Sequence, residues 1–399
     1  MADDDLQGIV DELAERLQRS VAIDDPGIRL LAASRHFGDE DAVRVTSVLN
    51  RSVGAELVDD ILAQGIAQWT RPGNVVVAVD NALPRLCAPV RCNGLLLGYL
   101  WLIDTDRSLD PAEIELAEDA AGRAGIVLYR RLILHERSQA RHEAILRELV
   151  SSDQTARAQA IDDLRAEHLF PDHPTRFRVL AAQLDGDDPT AAVALESAVE
   201  EGLRATDDVH LTAANRARAW VLLAEGTDRV VDAVSSRIVA RFASLTRGGA
   251  RIVVGVGTPV EGLDVVVDSY RQAFLAARAA LLVPTLGDVA RWGRLGPYEV
   301  LLKLPVEDLV PAADLPALAE LERQDAHGVL LATLEAFFDN AGDVRRTADQ
   351  LCVHRATLYH RLKRIEEHTG YRLDRGDDRL TLHLGIKLRA LAAAYRTQG

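Results

Sequence analysis

The sequence predicts a multidomain α+β protein, in which two mixed helix-and-sheet regions precede an all-α domain. A chain of 399 residues is too long for one hydrophobic core. Short apolar strands and helices follow one another in the first two thirds, whereas the last region has helical periodicity throughout. The predicted regions are a first α+β domain at 1–135, a helical linker at 136–172, an α/β domain at 173–283, a proline-rich connector at 284–326 and a helical domain at 327–399.

The first region begins with a helix and continues with short strands. Apolar residues recur every four positions from Ile9 to Leu17, which places them on one face of a helix. Apolar segments between turns predict strands at 21–23, 29–32, 75–79, 86–90 and 95–103. Between the last two strands, Asn93-Gly94 supplies the positive φ angles of a tight hairpin.

A long helix is predicted from Asp110-Pro111, where Asp is the N-cap and Pro is the first helical residue. No Gly-Pro pair interrupts it before residue 169. Its apolar stripe, at steps of mostly three and four residues, comprises Ile114, Ala117, Ala121, Ala124, Leu128, Leu132 and Leu146. Two interpretations remain open: a coiled-coil stalk that joins two copies of the chain, and a helix that covers its own sheet.

The middle region alternates strands with helices. Strands are predicted at 177–184, 219–223 and 251–256, and helices at 190–201, 230–245 and 263–282. This order is typical of an α/β or α+β layer structure. Five prolines between 284 and 318 then predict a connector that contains short helical pieces.

The charge of the chain is unevenly distributed. The net charge is −15, which argues against a surface that binds nucleic acid throughout. Residues 344–364, however, hold six cations and one anion, so this segment carries +5 and the rest of the chain −20. An acidic body with one basic segment predicts local docking on DNA and few nonspecific contacts elsewhere.

Several classes of protein are disfavoured by the sequence. The acidic start has no basic flank before an apolar stretch, and the longest apolar run, 95–103, is far shorter than the roughly 20 residues that span a bilayer. We therefore expect a cytoplasmic protein without a membrane partner. Cys87, Cys92 and Cys352 match no metal-ligand spacing and are expected to be small buried side chains, so no metal and no cofactor are predicted.

Three helices near the C-terminus have the pattern of a helix-turn-helix. The first is amphipathic and ends at 340–342, and Asp343 caps the second. The third begins near His354, after a tight turn at 352–353. The inward positions of the second and third helices recur at helical spacing and are Val344, Ala348, Leu351, Leu358, Leu362 and Ile365.

The outward face of these helices is polar and basic. A helix reads the major groove when its outward face carries donors for phosphates and base edges. The candidate DNA-binding residues are Arg345, Arg346, Thr347, His354, Arg355, Thr357, Tyr359, His360, Arg361, Lys363 and Arg364. Those in the first turns of the third helix are expected at base edges, and Lys363 and Arg364 nearer the DNA backbone. A solvated basic face on an ordinary bundle helix is the alternative.

Residues 351–365 read Leu-Cys-Val-His-Arg-Ala-Thr-Leu-Tyr-His-Arg-Leu-Lys-Arg-Ile and resemble the signature of the PucR/CdaR family of bacterial regulators, which has a Fis-type helix-turn-helix. Residues 370–374 and 380–391 are also similar to that family. Ala356 stands where the family usually has Asn, and Tyr359-His360 replaces an Arg-Tyr order, so we expect a changed capping or phosphate contact and changed base preference. The resemblance implies a transcription regulator that binds double-stranded DNA as a homodimer or higher homo-oligomer and is controlled by a small-molecule effector.

The resemblance extends upstream. Residues 251–260 and the following helix are similar to the end of a GGDEF-like domain, and the hairpin at 214–218 lacks the glycine pair and carboxylates that an active nucleotide cyclase needs. The middle domain is therefore expected to be a degenerate packing and dimerisation module, with a vestigial nucleotide pocket as the lesser alternative. Residues 88–103 resemble a GAF-like sensory domain, in which Trp69, Arg71 and Trp101 are candidates to line a pocket; a packed core without ligand is the alternative.

Three functions compete at this point. The preferred one is a DNA-binding regulator that is not an enzyme. A nucleotide cyclase built on the middle domain is disfavoured by the hairpin at 214–218. A scaffold whose basic helix contacts an acidic protein is the third, and sequence-specific DNA binding distinguishes it from the first.

Overall fold

The structure is a computed structural model that describes residues 2–39, 41–77, 79, 82–105, 107–170, 176–186, 188–204 and 206–398. The chain forms two compact units, Met1–Ala140 and Arg141–Gly399. Among the helices described, none is long and apolar enough to cross a membrane.

The first unit is built on a five-stranded antiparallel sheet in the order β2-β1-β5-β4-β3. Its elements are α1 (Ala2–Leu17), β1 (Val21–Asp24), β2 (Leu30–Ala33), α2 (Ala42–Asn50), α3 (Ala55–Ala63), β3 (Gly73–Val75), β4 (Arg85–Cys92), β5 (Leu95–Ile103) and the part of α4 (Pro111–Leu149) up to residue 140. A short 3₁₀ helix, Ile66–Gln68, follows α3. Asn93 and Gly94 have φ angles of 51° and 81°, which confirms the predicted hairpin turn between β4 and β5.

The two faces of this sheet pack against different elements because neighbouring side chains of a strand point in opposite directions. Leu100 and Leu102 of β5 contribute to a core with α1 and the first turns of α4. Tyr99 and Trp101 lie in a second core with residues of α3 and of the loop before β2. The sheet is therefore buried on both sides.

One predicted strand of this unit has the wrong bounds. The strand predicted at 75–79 ends at Val75, because the side chain of Gln64 binds the backbone of Val76 in place of a neighbouring strand: its Nε2 donates to Val76 O at 2.7 Å, and its Oε1 accepts from Val76 N at 3.0 Å. Residue 78 of that prediction lies outside the described residues. The long helix extends beyond residue 135, as predicted, and ends at Leu149, where Asp153 caps a new helix by accepting from Thr155 N at 2.8 Å.

The first half of α4 covers its own sheet. Ala117, Ala121 and Ala124 are buried against the strands. A Cβ on Gly125 would lie 2.4 Å from the carbonyl oxygen of Arg91, so this glycine allows the helix backbone to lie directly on β4. These contacts support the covering-helix interpretation for this half. Leu146, the last residue of the stripe, is buried in the core of the second unit, so the coiled-coil interpretation stays a prediction only for the stretch around Leu128 and Leu132.

The second unit begins with a sheet in the order β11-β9-β6-β8-β7, to which β10 adds by pairing with β6. Its elements are α5 (Gln154–Ala166), β6 (Arg176–Leu184), α6 (Pro189–Leu203), β7 (His210–Asn215), β8 (Arg218–Ala224), α7 (Asp228–Leu245), β9 (Ile252–Val256), β10 (Val260–Glu261), α8 (Val266–Leu282) and β11 (Val289–Arg291). Strands β9 and β11 are parallel, and the other pairs are antiparallel. Short 3₁₀ helices span Leu263–Val265 and Pro284–Leu286.

Helices cover both faces of this second sheet. Helices α6 and α7 pack on one face, and α8 packs on the other. A Cβ on Gly255 of β9 would lie 2.0 Å from the carbonyl oxygen of Ala273, so the closeness of α8 to the sheet depends on this glycine. Strand β7 was not predicted, because only Leu211 and Ala213 of its residues are buried apolar positions.

Seven helices complete the second unit. They are α9 (Tyr298–Leu301), α10 (Val306–Ala312), α11 (Pro316–Gln324), α12 (Val329–Asp339), α13 (Val344–Gln350), α14 (Arg355–Thr369) and α15 (Gly376–Gln398). Helix α15 contributes to two cores: Leu382 and Ile386 pack with α12 and α14, and Leu391 and Ala392 pack in the core that contains α8. The predicted α+β fold class is confirmed, with an all-helical C-terminal part.

Candidate DNA-binding site and a cavity in the first unit

The C-terminal helices pack around one apolar cluster that fixes the orientation of α14. Leu358, Leu362 and Ile365 are 0%, 8% and 0% exposed and lie in this cluster. Ala348 of α13 is buried there too, and Val344 and Leu351 pack against its edge. The predicted inward positions are confirmed.

The corner between α12 and α13 follows the predicted stop and cap. Ala341 and Gly342 have φ angles of 54° and 83°, which ends α12. The carboxylate of Asp343 then accepts from the backbone N–H groups of Arg345 and Arg346, at 2.8 and 3.0 Å. The hydrogen bond from the Arg346 N–H, together with that from Arg345, lowers the pKa of the Asp343 carboxyl. The start of α13 is therefore fixed by one side chain.

The turn between α13 and α14 places the third helix. Cys352 has a φ angle of 52° and is exposed, so the prediction of a buried side chain is wrong for this cysteine, because the left-handed turn points it outward. Cys87 is buried and Cys92 half-buried. His354 caps α14, with Nδ1 accepting from the N–H of Ala356 at 3.2 Å. The proton of its neutral ring then lies on Nε2.

Nine of the candidate DNA-binding residues form one exposed surface, which we call the basic face. Its members all have exposed side chains and lie on α13, the turn and α14: Arg345, Arg346, His354, Arg355, Thr357, Tyr359, His360, Lys363 and Arg364. Tyr359 is 61% exposed although it is a large aromatic residue. Since the opposite side of α14 is buried, the basic face is what this helix presents to a partner.

The structure places the other two candidates elsewhere. Thr347 is fully buried, and its hydroxyl donates to the carbonyl oxygen of Asp343 at 2.7 Å. Arg361 is half-buried, and its Nη1 donates to the hydroxyl of Thr333 on α12 at 3.3 Å. Each residue directly precedes an inward position, Ala348 or Leu362, and its polarity did not reveal that it would be covered. We therefore correct the predicted site by removing these two residues from it.

The cations of the basic face are only weakly neutralised by the protein. Lys363 lies 3.9 Å from Glu367, and Arg346 lies 3.8 Å from Asp343, and all four side chains are largely exposed. Such surface pairs contribute little. In the part of the chain that is described, Arg345, Arg355 and Arg364 have no carboxylate within 4.0 Å. These guanidinium groups are available to phosphates and base edges.

One residue that supports the basic face was missed by the sequence. The guanidinium of Arg379, on α15, lies over the ring of Phe337 at 5.6 Å. It also fills the space beside Gly342, where a Cβ would lie 2.3 Å from Nη2. Arg379 thus braces the corner that precedes α13. No local pattern predicts this contact, because the two residues are distant in sequence.

A small cavity of about 30 Å³ lies in the first unit, between the sheet and the helices α2 and α3. Its walls are apolar except for a few charged and polar side chains. The lining residues that matter here are Asp24, Arg44, Arg85 and Trp101. Of the residues suggested by the sequence, Trp101 lines the cavity, Arg71 is exposed outside it, and the Trp69 ring packs against Gly73.

The charged side chains of this cavity make several hydrogen bonds, but some of their polar atoms have no partner among the described residues. Arg44 is 5% exposed and donates to the carbonyl oxygens of Val21 and Ser34, each at 3.1 Å. Arg85 donates to both carboxylate oxygens of Asp41, at 2.5 and 2.7 Å. Four buried atoms have no hydrogen-bond partner among the described residues, namely Asp24 Oδ1, Arg44 Nε, Arg85 Nε and Trp101 Nε1. Buried polar atoms without partners mark a site for water or ligand.

Burial controls the ionisation of Asp24, which is 5% exposed. Burial raises the pKa of this carboxyl to about 7, and the negative charge of Asp25 acts in the same direction. The Arg44 cation and the nearby Trp101 indole oppose this rise. The indole N–H is close enough to favour the carboxylate, but it does not have the geometry of a full hydrogen bond.

Two family models match the chain. One is the PucR C-terminal helix-turn-helix domain, which matches residues 330–388, and the other is the GGDEF-like domain, which matches residues 152–279. The first range contains the whole basic face. The second covers the sheet from β6 to β9 and most of α8.

Similar proteins are regulators. The chain is 20% identical over 397 residues to the proline-responsive transcriptional activator PutR of Bacillus subtilis, and the alignment covers 96% of each chain. It is 42% identical over 71 residues to the carbohydrate diacid regulator of Escherichia coli, or 18% of each chain. A crystal structure of a regulator of polyketide synthase expression from Bifidobacterium adolescentis aligns with a TM-score of 0.30 and 16% identity, over 62% of this chain and 96% of that one.

We predict that Leu358→Ala destabilises the C-terminal helices by roughly 2–5 kcal/mol, the usual cost of emptying a buried leucine site. Calorimetric unfolding of the full chain measures this effect. Leu380→Ala is the matched control, since Leu380 is 59% exposed on α15 and should change stability little. Equal stability of the two variants would show that α14 is oriented differently.

Proposed function

We propose that this chain, which is a DNA-binding transcription regulator of the PucR/CdaR type, reads its operator with the basic face and responds to a small molecule bound in the first unit. The observation that supports the first part most strongly is the exposed basic face on a helix whose other side is buried. It lies within the range of the matched helix-turn-helix model.

The basic face divides into two groups by position. Arg355, Thr357, Tyr359 and His360 occupy the first turns of α14, the part of a recognition helix that reaches base edges. Arg345, Arg346, Lys363 and Arg364 lie at the flanks and are assigned to phosphates. The Nε2–H of His354 is free to donate to a phosphate while Nδ1 caps the helix. We therefore assign sequence discrimination to the first group and general affinity to the second.

We predict that substitutions in the two groups weaken DNA binding in different ways. Arg355→Ala should weaken binding to the preferred operator by about 1–3 kcal/mol and reduce the preference among sequences. Lys363→Ala should weaken all duplexes alike and lower the slope of log K against log salt by about one unit. Titration of operator and scrambled duplexes at several salt concentrations measures both effects.

The control for these titrations is Arg237→Ala, an exposed arginine on α7 of the middle domain. It should leave both affinities unchanged. Equal losses for Arg355→Ala on the operator and on the scrambled duplex would mean that α14 is a nonspecific basic surface, the alternative left open above. The operator is obtained beforehand by genome-wide mapping of the bound DNA.

The first-unit cavity supports effector control. Asp24 and Arg44 place opposite charges around one space, and unpartnered donors and acceptors line it. Burying such groups without partners costs stability, so a fold that retains them favours a bound polar molecule. The present volume of about 30 Å³ holds water molecules, so an effector larger than that requires the walls to move apart.

We predict that Asp24 makes the first unit less stable as pH rises. The carboxyl titrates near 3.8 in the unfolded chain and at about 7 in the folded one, so the folded state binds more protons between these values. The stabilisation is complete below about pH 4 and is lost as pH approaches 7. Asp24→Asn should flatten the dependence of Tm on pH between about 4 and 7, measured by calorimetry.

Asp59→Asn, at an exposed position on α3, is the control and should retain the wild-type pH dependence. An unchanged pH dependence in Asp24→Asn would contradict the assignment of this carboxyl as a buried, proton-binding group. The effector assignment is tested separately, because a ligand of the cavity should raise the Tm of the wild type more than that of an Arg44→Gln variant.

We further infer that the protein acts on double-stranded DNA as a homodimer or higher homo-oligomer in the cytoplasm. One recognition helix reads one half-site, and two copies read sites about one helical turn apart. Sedimentation velocity measures the oligomeric state, and a monomer that binds its operator at full affinity would contradict this inference. We keep the regions 1–135, 136–172, 173–283, 284–326 and 327–399 as proposed domain boundaries.

We infer that the middle domain is not a nucleotide cyclase. The turn between β7 and β8 consists of Arg216 and Ala217, and Oδ1 of Asn215, the last residue of β7, accepts from the backbone N–H groups of Ala217 and Arg218. No carboxylate stands in this turn to hold the metal ions that cyclase chemistry requires. Formation of a cyclic nucleotide from GTP by the purified chain would contradict this inference.

A further inference from the structure

A wide groove opens on the face of the second unit that α8 covers. Its volume is about 740 Å³, within the range of small-ligand sites. One stripe of α8 forms a wall, the strand pair of Gln183 and Arg218 forms an end, and Leu302, Lys303 and Tyr395 close the other side. Its residues come from elements that are distant in sequence, which is why no motif indicated it.

The groove is basic although the chain is acidic. Four cations line it and no carboxylate does: they are Arg218, Arg271, Arg278 and Lys303. The exposed carboxylate of Asp268 lies 4.0 Å from Arg271. Arg218 has no carboxylate within 4.0 Å in the described part of the chain. Like charges gathered in one groove repel each other, and a bound anion relieves that repulsion.

The groove also offers aromatic surfaces. Tyr270 and Phe274 are neighbours on α8 with ring centroids 4.6 Å apart. Across the groove, the guanidinium of Arg278 lies over the ring of Tyr395, 4.6 Å from its centroid. Leu281 and Leu302 also line the groove and are buried. Flat apolar walls beside cations favour a ligand that joins a planar ring to negative charge.

We propose that this groove binds a nucleoside diphosphate or triphosphate, with the phosphates at the cations and the base against the aromatic rings. The proposal does not depend on the DNA-binding assignment or on the first-unit cavity. Because α15 packs both in the core of the middle domain and in the helix-turn-helix cluster, a ligand that contacts Tyr395 touches the element shared by the two.

The test is calorimetric titration of the full chain at physiological salt, with EDTA present. The probes are GTP, ATP and GDP, with guanosine and inorganic tripolyphosphate as the two halves of the ligand. At least one nucleotide should bind saturably, and guanosine and tripolyphosphate should each bind at least about tenfold more weakly. Lys303→Ala and Arg278→Gln should each lower the nucleotide affinity at least about threefold.

Tyr395→Leu keeps an apolar side chain and removes the ring, so it should reduce nucleotide affinity while leaving tripolyphosphate binding unchanged. Arg237→Ala, exposed on the opposite face of the sheet, is the matched control for charge. Circular dichroism checks folding, and the exposed variants Lys303→Ala and Arg271→Ala carry the test if Arg278→Gln fails to fold.

Three results would overturn the proposal. The first is the absence of saturable binding by all three nucleotides at millimolar concentration. The second is tripolyphosphate binding as tight as nucleotide binding, which would indicate a basic patch without recognition of a base. The third is nucleotide binding that does not depend on the groove. In that case the groove variants would bind nucleotide as tightly as the wild type, or duplex DNA would displace the nucleotide equally from every variant.

Discussion

The burial of one face of α14 is the constraint on which the DNA-binding site depends. Leu358, Leu362 and Ile365 occupy one side of the helix because helical spacing brings residues three and four apart onto a common face. Once that side is inside the cluster, most of the residues between them face outward, and Arg361 is the exception. Charge alone would not orient the helix, since Arg361 is as basic as Arg355 and yet turns toward α12.

A few contacts between residues close in sequence fix the position of that helix. Asp343 fixes the start of α13, His354 fixes the start of α14, and the left-handed residues Ala341, Gly342 and Cys352 turn the chain between helices. Each of these devices satisfies backbone groups that a helix end leaves free. The contact of Arg379 with Phe337 adds a brace from α15, so the orientation of the basic face also depends on packing with a distant segment.

Helix α15 is the element through which the middle and C-terminal parts of the second unit share a core. Its residues near Leu382 belong to the helix-turn-helix cluster, and its residues near Leu391 belong to the core beneath α8. Because one helix contributes to both cores, a shift of α15 would alter the packing of both parts. In the first-unit cavity, by contrast, charged side chains are buried and some of their polar atoms have no hydrogen-bond partner among the described residues.

The sequence by itself determined the elements whose signals are local. The Asn93-Gly94 hairpin, the stop before Asp343 and the apolar stripe of α14 all depend on neighbouring residues, and the structure agrees with them. Family resemblance rested on the same local segment, and the matched helix-turn-helix range includes it. Nine of the eleven candidate DNA-binding residues have exposed side chains, and their contact with DNA stays a prediction.

Tertiary structure alone decided what depends on residues far apart in the chain. Gln64 ends a strand by binding Val76, Arg361 turns inward because Thr333 accepts its hydrogen bond, and Asp24 is buried beside Arg44. The basic groove beside α8 combines strand, helix and C-terminal residues that no spacing links. A local pattern fixes which face of an element is apolar, but only packing decides which distant side chain meets a given polar group, and that meeting sets its exposure, charge and availability to a ligand.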